Sequence, residues 1–243
     1  MFKMITRLLF AACLTFAGLV AVDAAAPPDA AAYPWSRTLK EGMSGSDVAE
    51  LQVRVAGWAA DSASQTYVQV DGQFGPGTKA AVIRFQRAYG LAADGIVGPA
   101  TQAQLTALED GDGSTRNFAF SEFYSKDGSG FSGGKVSSTQ VRENVRRLMY
   151  KLEAVRKKAG NSSITINSGF RSINHNTNVG GKSNSQHMYG IAADITVSGR
   201  SVSTVMGYAK TTGFSGIIRY TSFTHVDSRV EYPYGAQAWY WTS

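Results

Sequence analysis

The stretch "SNSQHMYGIAADITV" (183–197) joins a glycine-containing loop to an alternating segment that is typical of a strand. Successive strand residues point to opposite faces, so Asp194 lies on one face and Ile195 and Val197 on the other. Ile195 and Val197 form the natural core face, so Asp194 is expected to point towards a cleft. His187, on the preceding loop, can reach the same place. The segment therefore predicts a strand with one buried and one chemically active face.

A second segment, "FTHVDSR" (223–229), has the same design, with His225 and Asp227 on one face of a strand. If the two strands pair, Asp194, His225 and Asp227 converge, and His187 can reach in from its loop. Two imidazoles and one carboxylate can form a catalytic zinc shell with a position left open for water. The spacing alone leaves open the alternative that His187 is a surface or capping residue.

Other segments of the C-terminal half predict short strands and helices in mixed order. "SSITINSGF" (162–170) is predicted as a strand, and "GIIRYTSFTHVDSRV" (216–230) as two strands around a Tyr-Thr-Ser turn. "SVSTVMGYAKTTGF" (201–214) has apolar residues at helical spacing. Because helices and strands do not alternate strictly, the fold class is α+β.

The formal net charge of +6 is concentrated in "VRENVRRLMYKLEAVRKKAG" (141–160). Its apolar residues fall at helical spacing, which predicts an amphipathic helix with a basic outer face. This face is either simply solvated or attracted to an anionic exported polymer such as cell wall. Nucleic acid is not expected as a partner, because the chain has no recognisable reader motif.

The first 26 residues are typical of a secretory signal peptide. Lys3 and Arg7 precede an apolar run, and small residues follow it at 24–26. A retained membrane anchor is the alternative, but the apolar run of about 15 residues is short for a span of about 20. We expect a secreted protein without a membrane segment after removal of 1–26. The single cysteine, Cys13, lies in this leader, so any metal must be held by histidine and carboxylate.

An internal repeat marks the N-terminal half, where "DGQFGPGTKAAV" (71–82) recurs as "DGIVGPATQAQL" (94–105). In both copies Asp-Gly predicts a turn, and Gly-Pro precedes a threonine that we expect to cap the next helix, Thr78 and Thr101. The intervening "AVIRFQRAYGL" (81–91) is predicted as a helix that ends at its glycine. No catalytic cluster occurs in this half.

These motifs, together with "GMSGSDVAELQ" (42–52), resemble the peptidoglycan-binding domain 1 family, a small three-helix module. The resemblance implies a non-catalytic wall-binding domain over 34–108; the residues alone also permit a structural spacer. The polar, glycine-rich "EDGDGSTRN" (109–117) is predicted as a linker, followed by a second domain at 118–243.

The second domain is similar to the M15 family of zinc D-Ala-D-Ala carboxypeptidases and peptidoglycan endopeptidases. The resemblance rests on "SGFRS" (168–172), "GGKSNSQHMYGIAADI" (180–195) and "THVDSR" (224–229). It implies a small antiparallel sheet flanked by helices. The family motif S-x-H-x-x-G-x-A-x-D is met at all its defined positions: Ser185, His187, Gly190, Ala192 and Asp194.

Roles for single residues follow from this resemblance. It implies that His187, Asp194 and His225 are the ligands of Zn²⁺. Arg171 matches the arginine that holds the substrate carbonyl or carboxylate and steadies the developing oxyanion, a task for which its fork of donors is suited. Ser185 matches a serine that binds substrate near the metal.

The general base is less clear from the sequence. Residues 195–224, before the last ligand, contain no Asp, Glu or His, although several family members carry an acid or histidine there. We predict Asp227 as the catalytic base, with Glu231 as the runner-up. Asp227 could instead orient a histidine ligand.

The resemblances together imply a secreted, cell-wall-associated zinc peptidase that hydrolyses peptidoglycan stem peptides. We expect a monomeric D-Ala-D-Ala carboxypeptidase; a peptidoglycan endopeptidase and a non-catalytic wall-binding protein are the alternatives.

Overall fold

The computed structural model describes residues 32–60 and 63–243, so the predicted signal peptide at 1–26 lies outside the described residues. Within them, no helix is both long and apolar enough to cross a membrane. The helices are α1 (Ser46–Arg54), α2 (Pro76–Ala88), α3 (Pro99–Thr106), α4 (Ser138–Lys158), α5 (Ile173–Asn178) and α6 (Val202–Ala209). The strands are β1 (Ile164–Ser168), β2 (Ala192–Val197), β3 (Gly216–Arg219), β4 (Thr224–Asp227) and β5 (Tyr240–Thr242). Short 3₁₀ helices occupy Ala56–Trp58, Phe120–Phe123, Gln186–Tyr189 and Arg229–Glu231.

Helices α1–α3 confirm the predicted three-helix unit, and a buried glutamine fixes each repeated turn. Gln52 donates from Nε2 to Asp71 Oδ1 (2.8 Å) and to Thr78 Oγ1 (3.1 Å). Gln86 makes the same bonds in the second copy, to Asp94 Oδ1 (3.0 Å) and Thr101 Oγ1 (3.0 Å). The predicted capping role of the two threonines is therefore wrong. Glycine precedes each helix and proline begins it, while the threonine hydroxyl binds the glutamine.

The two copies differ in the length of the segment that connects the glutamine to the Asp-Gly turn. Gln52 lies 19 residues before Asp71, whereas Gln86 lies only 8 before Asp94. The longer connection of the first copy contains the 3₁₀ helix Ala56–Trp58, which packs against α4 of the C-terminal half. This 3₁₀ helix thus forms one part of the contact between the two halves of the molecule.

The five strands form one sheet in the order β1-β2-β4-β3-β5. Neighbouring pairs from β1 to β3 are antiparallel, but β5 runs parallel to β3. The predicted α+β class is confirmed, whereas the expectation of a purely antiparallel sheet is wrong. Asp227 ends β4 opposite Gly216, and the following segment returns to the same end of β3, where Tyr240 pairs with Gly216. The last strand can therefore only run in the direction of β3.

Helix α4 packs between the sheet and the N-terminal helices. Val141, Leu148 and Leu152 belong to the core over the sheet, as their helical spacing predicts. Tyr150 and Ala154, on another side of α4, belong to the core of the N-terminal unit. The prediction of a basic outer face is wrong for part of α4, because two of its cationic side chains, Arg147 and Lys151, are buried.

Candidate metal centre

Two strands and a loop bring His187, Asp194 and His225 together; we call these three residues the metal cluster. Asp194 of β2 lies directly opposite His225 of β4 in the antiparallel register. Asp194 Oδ1 is 2.8 Å from His225 Nδ1 and 3.3 Å from His187 Nε2. The two imidazole nitrogens are 3.2 Å apart. Among the described residues, this is the group of His and acidic side chains placed to share one metal ion.

An outer contact fixes the tautomer of His187. Its Nδ1 lies 2.6 Å from the carbonyl oxygen of Gly169, which can only accept, so Nδ1 carries the proton. Nε2 is left with its lone pair directed at the cluster. A Cβ atom at Gly169 would lie 2.5 Å from Cα of Phe123, so only glycine fits where this carbonyl is needed.

His225 is oriented in a similar way by a carboxylate. Its Nε2 is 3.0 Å from Asp227 Oδ2, which leaves Nδ1 facing the cluster. Arg229 donates to the same carboxylate from Nη2 (2.6 Å) and Nε (2.9 Å to Oδ1). Burial opposes ionisation of Asp227, but the bonds from Arg229 and His225 hold the pKa of its carboxyl well below the usual range. Asp227 is therefore ionised and in hydrogen-bond contact with the imidazole.

The loop before β2 depends on the glycine of the motif. Gly190 ends the 3₁₀ helix Gln186–Tyr189 with φ of +72°, a left-handed conformation that side chains rarely adopt. A Cβ atom here would also come within 2.9 Å of Val141 Cγ1 on α4. Close packing on α4 thus places His187 at the level of the strands.

The metal cluster forms the floor of a cleft of about 380 Å³. Arg171, Lys182 and Arg229 give its walls a positive character, while Ile218 and Tyr220 supply apolar surface. Arg171 donates from Nη2 to Asp194 Oδ2 (2.7 Å). It also donates from Nε to Ser168 Oγ (2.9 Å), which anchors it at the end of β1. The arrangement is suited to an anionic ligand that approaches a metal ion.

The two histidines titrate differently because of their neighbours. Burial lowers the pKa of His187, so its imidazole is neutral. Burial alone would also lower the pKa of His225, but its bonds to Asp194 and Asp227 raise it to about 9. Burial likewise opposes ionisation of Asp194, yet the two histidines keep the pKa of its carboxyl below the usual range. A metal ion that binds at Nδ1 of His225 therefore has to replace a proton.

The other predicted site residues fall in two groups. Arg171 and Ser185 line the cleft beside the metal cluster. Asp227 is fully buried behind His225, with both oxygens bonded, and is not part of the lining. This position favours orientation of His225 over proton transfer in the cleft. Glu231 has a buried side chain paired with Lys151, away from the cleft.

Sequence reasoning missed Gly169 and Arg229. Both lie inside the motifs "SGFRS" and "THVDSR", next to predicted site residues, and that proximity was the available signal. The third histidine is His175. It lies on α5, neither in the metal cluster nor in the cleft lining.

The donor set fits one particular metal. Two imidazole nitrogens and one carboxylate oxygen are a ligand set of catalytic Zn²⁺ sites, which keep a further position open. Both imidazoles have their remaining nitrogen bonded to an acceptor, as histidine ligands of metals usually do. A buried cluster of this kind, open to a cationic cleft, defines a metal-dependent hydrolytic centre.

Comparison with known proteins places this centre in a family. The family model for Peptidase M15 matches residues 116–227, and that for a peptidoglycan binding domain matches 44–105. Over 186 residues the chain is 49% identical to the zinc D-Ala-D-Ala carboxypeptidase of Streptomyces albus G, covering 76% of this chain and 71% of that protein. Over 71 residues it is 45% identical to a protein of Bacillus licheniformis named as a probable N-acetylmuramoyl-L-alanine amidase, covering 29% and 19% respectively.

The chain belongs to the M15 family of peptidases. The predicted family, the metallopeptidase class and the Zn²⁺ cofactor are confirmed by this membership together with the metal cluster. The N-terminal match likewise confirms the predicted peptidoglycan-binding domain and a cell-wall association.

Proposed function

We propose that this chain is a secreted, monomeric zinc D-Ala-D-Ala carboxypeptidase. In this proposal the N-terminal domain (34–108) holds the enzyme on peptidoglycan, and the C-terminal domain (118–243) hydrolyses stem peptides. The segment 109–117 connects the two domains. The observation that carries the proposal is the convergence of three donor atoms on the floor of a cationic cleft. Secretion rests on the leader sequence at 1–26.

His187 Nε2, His225 Nδ1 and a carboxylate oxygen of Asp194 are the proposed zinc ligands. Both imidazoles are held in place by hydrogen bonds to Gly169, Asp227 and Asp194. The chemistry that Zn²⁺ supplies when bound is Lewis acidity towards the scissile carbonyl and the activation of water.

Arg171 is proposed to hold the substrate. Its guanidinium is tied to Asp194 through one nitrogen, so its remaining donors stay close to the reacting carbonyl. Fixed donors aimed at developing negative charge stabilise the transition state more than the ground state. Ser185, on the lining of the cleft, is proposed to bond the substrate backbone.

The positive cleft supports a carboxypeptidase over an endopeptidase. The free carboxylate of a terminal D-alanine would meet Arg171, Arg229 and Lys182, three cations on the lining. A cross-link whose acceptor residue has no free carboxylate beside the amide nitrogen would bring no such charge to this place. The apolar surface of Ile218 and Tyr220 is suited to the methyl groups of alanine.

For Asp227 we propose the orienting role. Its ionised carboxylate accepts a hydrogen bond from Nε2 of His225 and is itself fixed by Arg229. It thereby keeps the lone pair of Nδ1 directed at the metal position. A carboxylate whose oxygens are already bonded is poorly placed to collect a proton from the cleft.

The test is mass spectrometry of defined stem peptides after incubation with the purified protein, with and without a chelator. We expect loss of one terminal D-alanine, and no reaction in the chelator. Fragments cut at internal bonds would instead support an endopeptidase. Intact peptides with zinc-loaded protein would overturn the hydrolytic role and leave a non-catalytic wall-binding protein.

A further inference from the structure

A second buried group of charges lies away from the cleft. It consists of Arg147, Lys151 and Glu231, which we call the interface cluster. Glu231 pairs through Oε1 with Lys151 Nζ and through Oε2 with Arg147 Nη2 (2.6 Å). The side chains of Lys151 and Glu231 have no exposed surface. The mechanism proposed above makes no use of these charges.

The interface cluster reaches the N-terminal unit. Arg147 donates from Nη2 to the backbone carbonyl of Val68, which belongs to the long connection of the first repeat. Lys151 donates to the carbonyl of Gly213 (2.9 Å). A Cβ atom at Gly213 would lie 3.1 Å from both Ala56 O and Ala59 Cβ, so this turn is packed against the same connection. One side of the cluster is thus built from the wall-binding domain.

The other side of the interface cluster reaches the metal centre. Lys151 donates to Ser228 Oγ (2.8 Å), and Ser228 directly follows Asp227. Glu231 closes the 3₁₀ helix that begins with Arg229. Residues 228–231 are therefore clamped at both ends by Lys151, and their Arg229 fixes the carboxylate that orients His225.

We propose that Arg147, Lys151 and Glu231 are positioning residues for the hydrolytic centre, and that Arg147 makes the wall-binding domain part of that positioning. The inference rests on the hydrolytic function proposed above. In this view the N-terminal domain does more than tether the enzyme to the wall. It also completes the support of the segment behind His225.

The experiment uses the full chain and an internal control. Arg147→Met removes the bridge from Glu231 to Val68. Arg146→Met removes a different bridge of α4 to the N-terminal domain, the pair of Arg146 with Glu50 (3.0 Å), which does not touch 228–231. Steady-state constants are measured on a soluble acylated D-Ala-D-Ala peptide, for which wall binding is irrelevant. Zinc content and thermal midpoints are measured on the same samples.

We expect Arg147→Met to lower kcat by about tenfold or more with little change in KM, because small displacements behind a site are costly. Arg146→Met should keep kcat within about twofold at a comparable thermal midpoint, because the pair of Arg146 with Glu50 does not touch 228–231. Equal losses in the two variants, or an unchanged kcat in Arg147→Met, would overturn the inference. Arg147→Gln replaces Arg147→Met if the latter does not fold, with the same expectation.

A second readout does not depend on activity. Amide hydrogen exchange is followed in metal-free protein for the peptide that covers 224–232. Arg147→Met should speed exchange there, whereas Arg146→Met should not. If Arg147→Met shows faster exchange but the wild-type protein has no peptidase activity, the proposed function is refuted and the positioning role is retained. Unchanged exchange in Arg147→Met would refute the positioning role alone.

Discussion

The metal cluster and the interface cluster are both buried groups of charged or titratable side chains, yet they differ in what surrounds their polar atoms. In the interface cluster, Glu231 meets two cations and is enclosed by protein. In the metal cluster, three donor atoms face one point at the floor of an open cleft. Burial and shifted titration therefore do not identify a functional site by themselves. Convergence of lone pairs on one point that is accessible from a cleft does.

The largest expected effect separates the two clusters. His187→Ala removes one of three metal ligands, so we expect loss of bound zinc and a fall in activity of more than about 100-fold, beyond the usual cost of losing an outer partner. Metal analysis and peptide hydrolysis check this.

The control for that variant is His175→Ala, which changes the histidine outside the cluster. Zinc content and turnover should match the wild type. Zinc retained at full stoichiometry in His187→Ala would mean that the metal cluster has been assigned wrongly.

The opposite behaviour is expected for Glu231→Gln. The substitution leaves Arg147 and Lys151 buried without a counter-charge, which should cost about 3–5 kcal/mol of unfolding free energy. Zinc binding should persist below the unfolding transition. Urea unfolding of metal-free protein measures the change, and a loss below about 1 kcal/mol would show that the cluster is hydrated rather than closed.

Asp227 lies between the two clusters, and Asp227→Asn tests whether it orients His225 or acts as the base. We expect zinc affinity or activity to fall about 10- to 100-fold, because the imidazole of His225 loses an anionic partner. Calorimetric titration of zinc decides between the roles. Weakened zinc binding supports orientation, whereas intact zinc affinity with lost turnover would restore Asp227 as the base.

The smallest effect concerns α4 next to the interface cluster. Burial raises the pKa of Tyr150 to about 12, against an ordinary value of 10.0. The unfolded chain then loses this proton first, so stability present below pH 10 is lost as the pH rises towards 12. At pH 11 the loss is about 1.4 kcal/mol. Tyr150→Phe should lack this part of the alkaline decline; an identical pH profile would show that the hydroxyl titrates normally in the folded protein.

Local patterns predicted much of the centre. Alternation along "AADITV" and "THVD" predicted the strand faces that carry Asp194 and His225, which meet because β2 pairs with β4. The apolar spacing of 141–160 predicted the core side of α4. These features depend on residues close in sequence, so they are readable without a fold.

Long-range partners account for what the sequence could not predict. The hydroxyl of Thr78 binds Gln52, 26 residues earlier, rather than its own helix end. Lys151 is buried because Glu231 lies 80 residues further along the chain. The parallel strand β5 depends on the path of 228–239. Each of these contacts is decided by packing between distant segments.

The most direct test of the proposed zinc site is a crystal structure of the zinc-loaded protein with anomalous scattering recorded at the zinc edge. We expect one peak at the floor of the cleft, about 2.0–2.2 Å from His187 Nε2, His225 Nδ1 and an oxygen of Asp194. A peak bound elsewhere, or no peak in catalytically active protein, would contradict it.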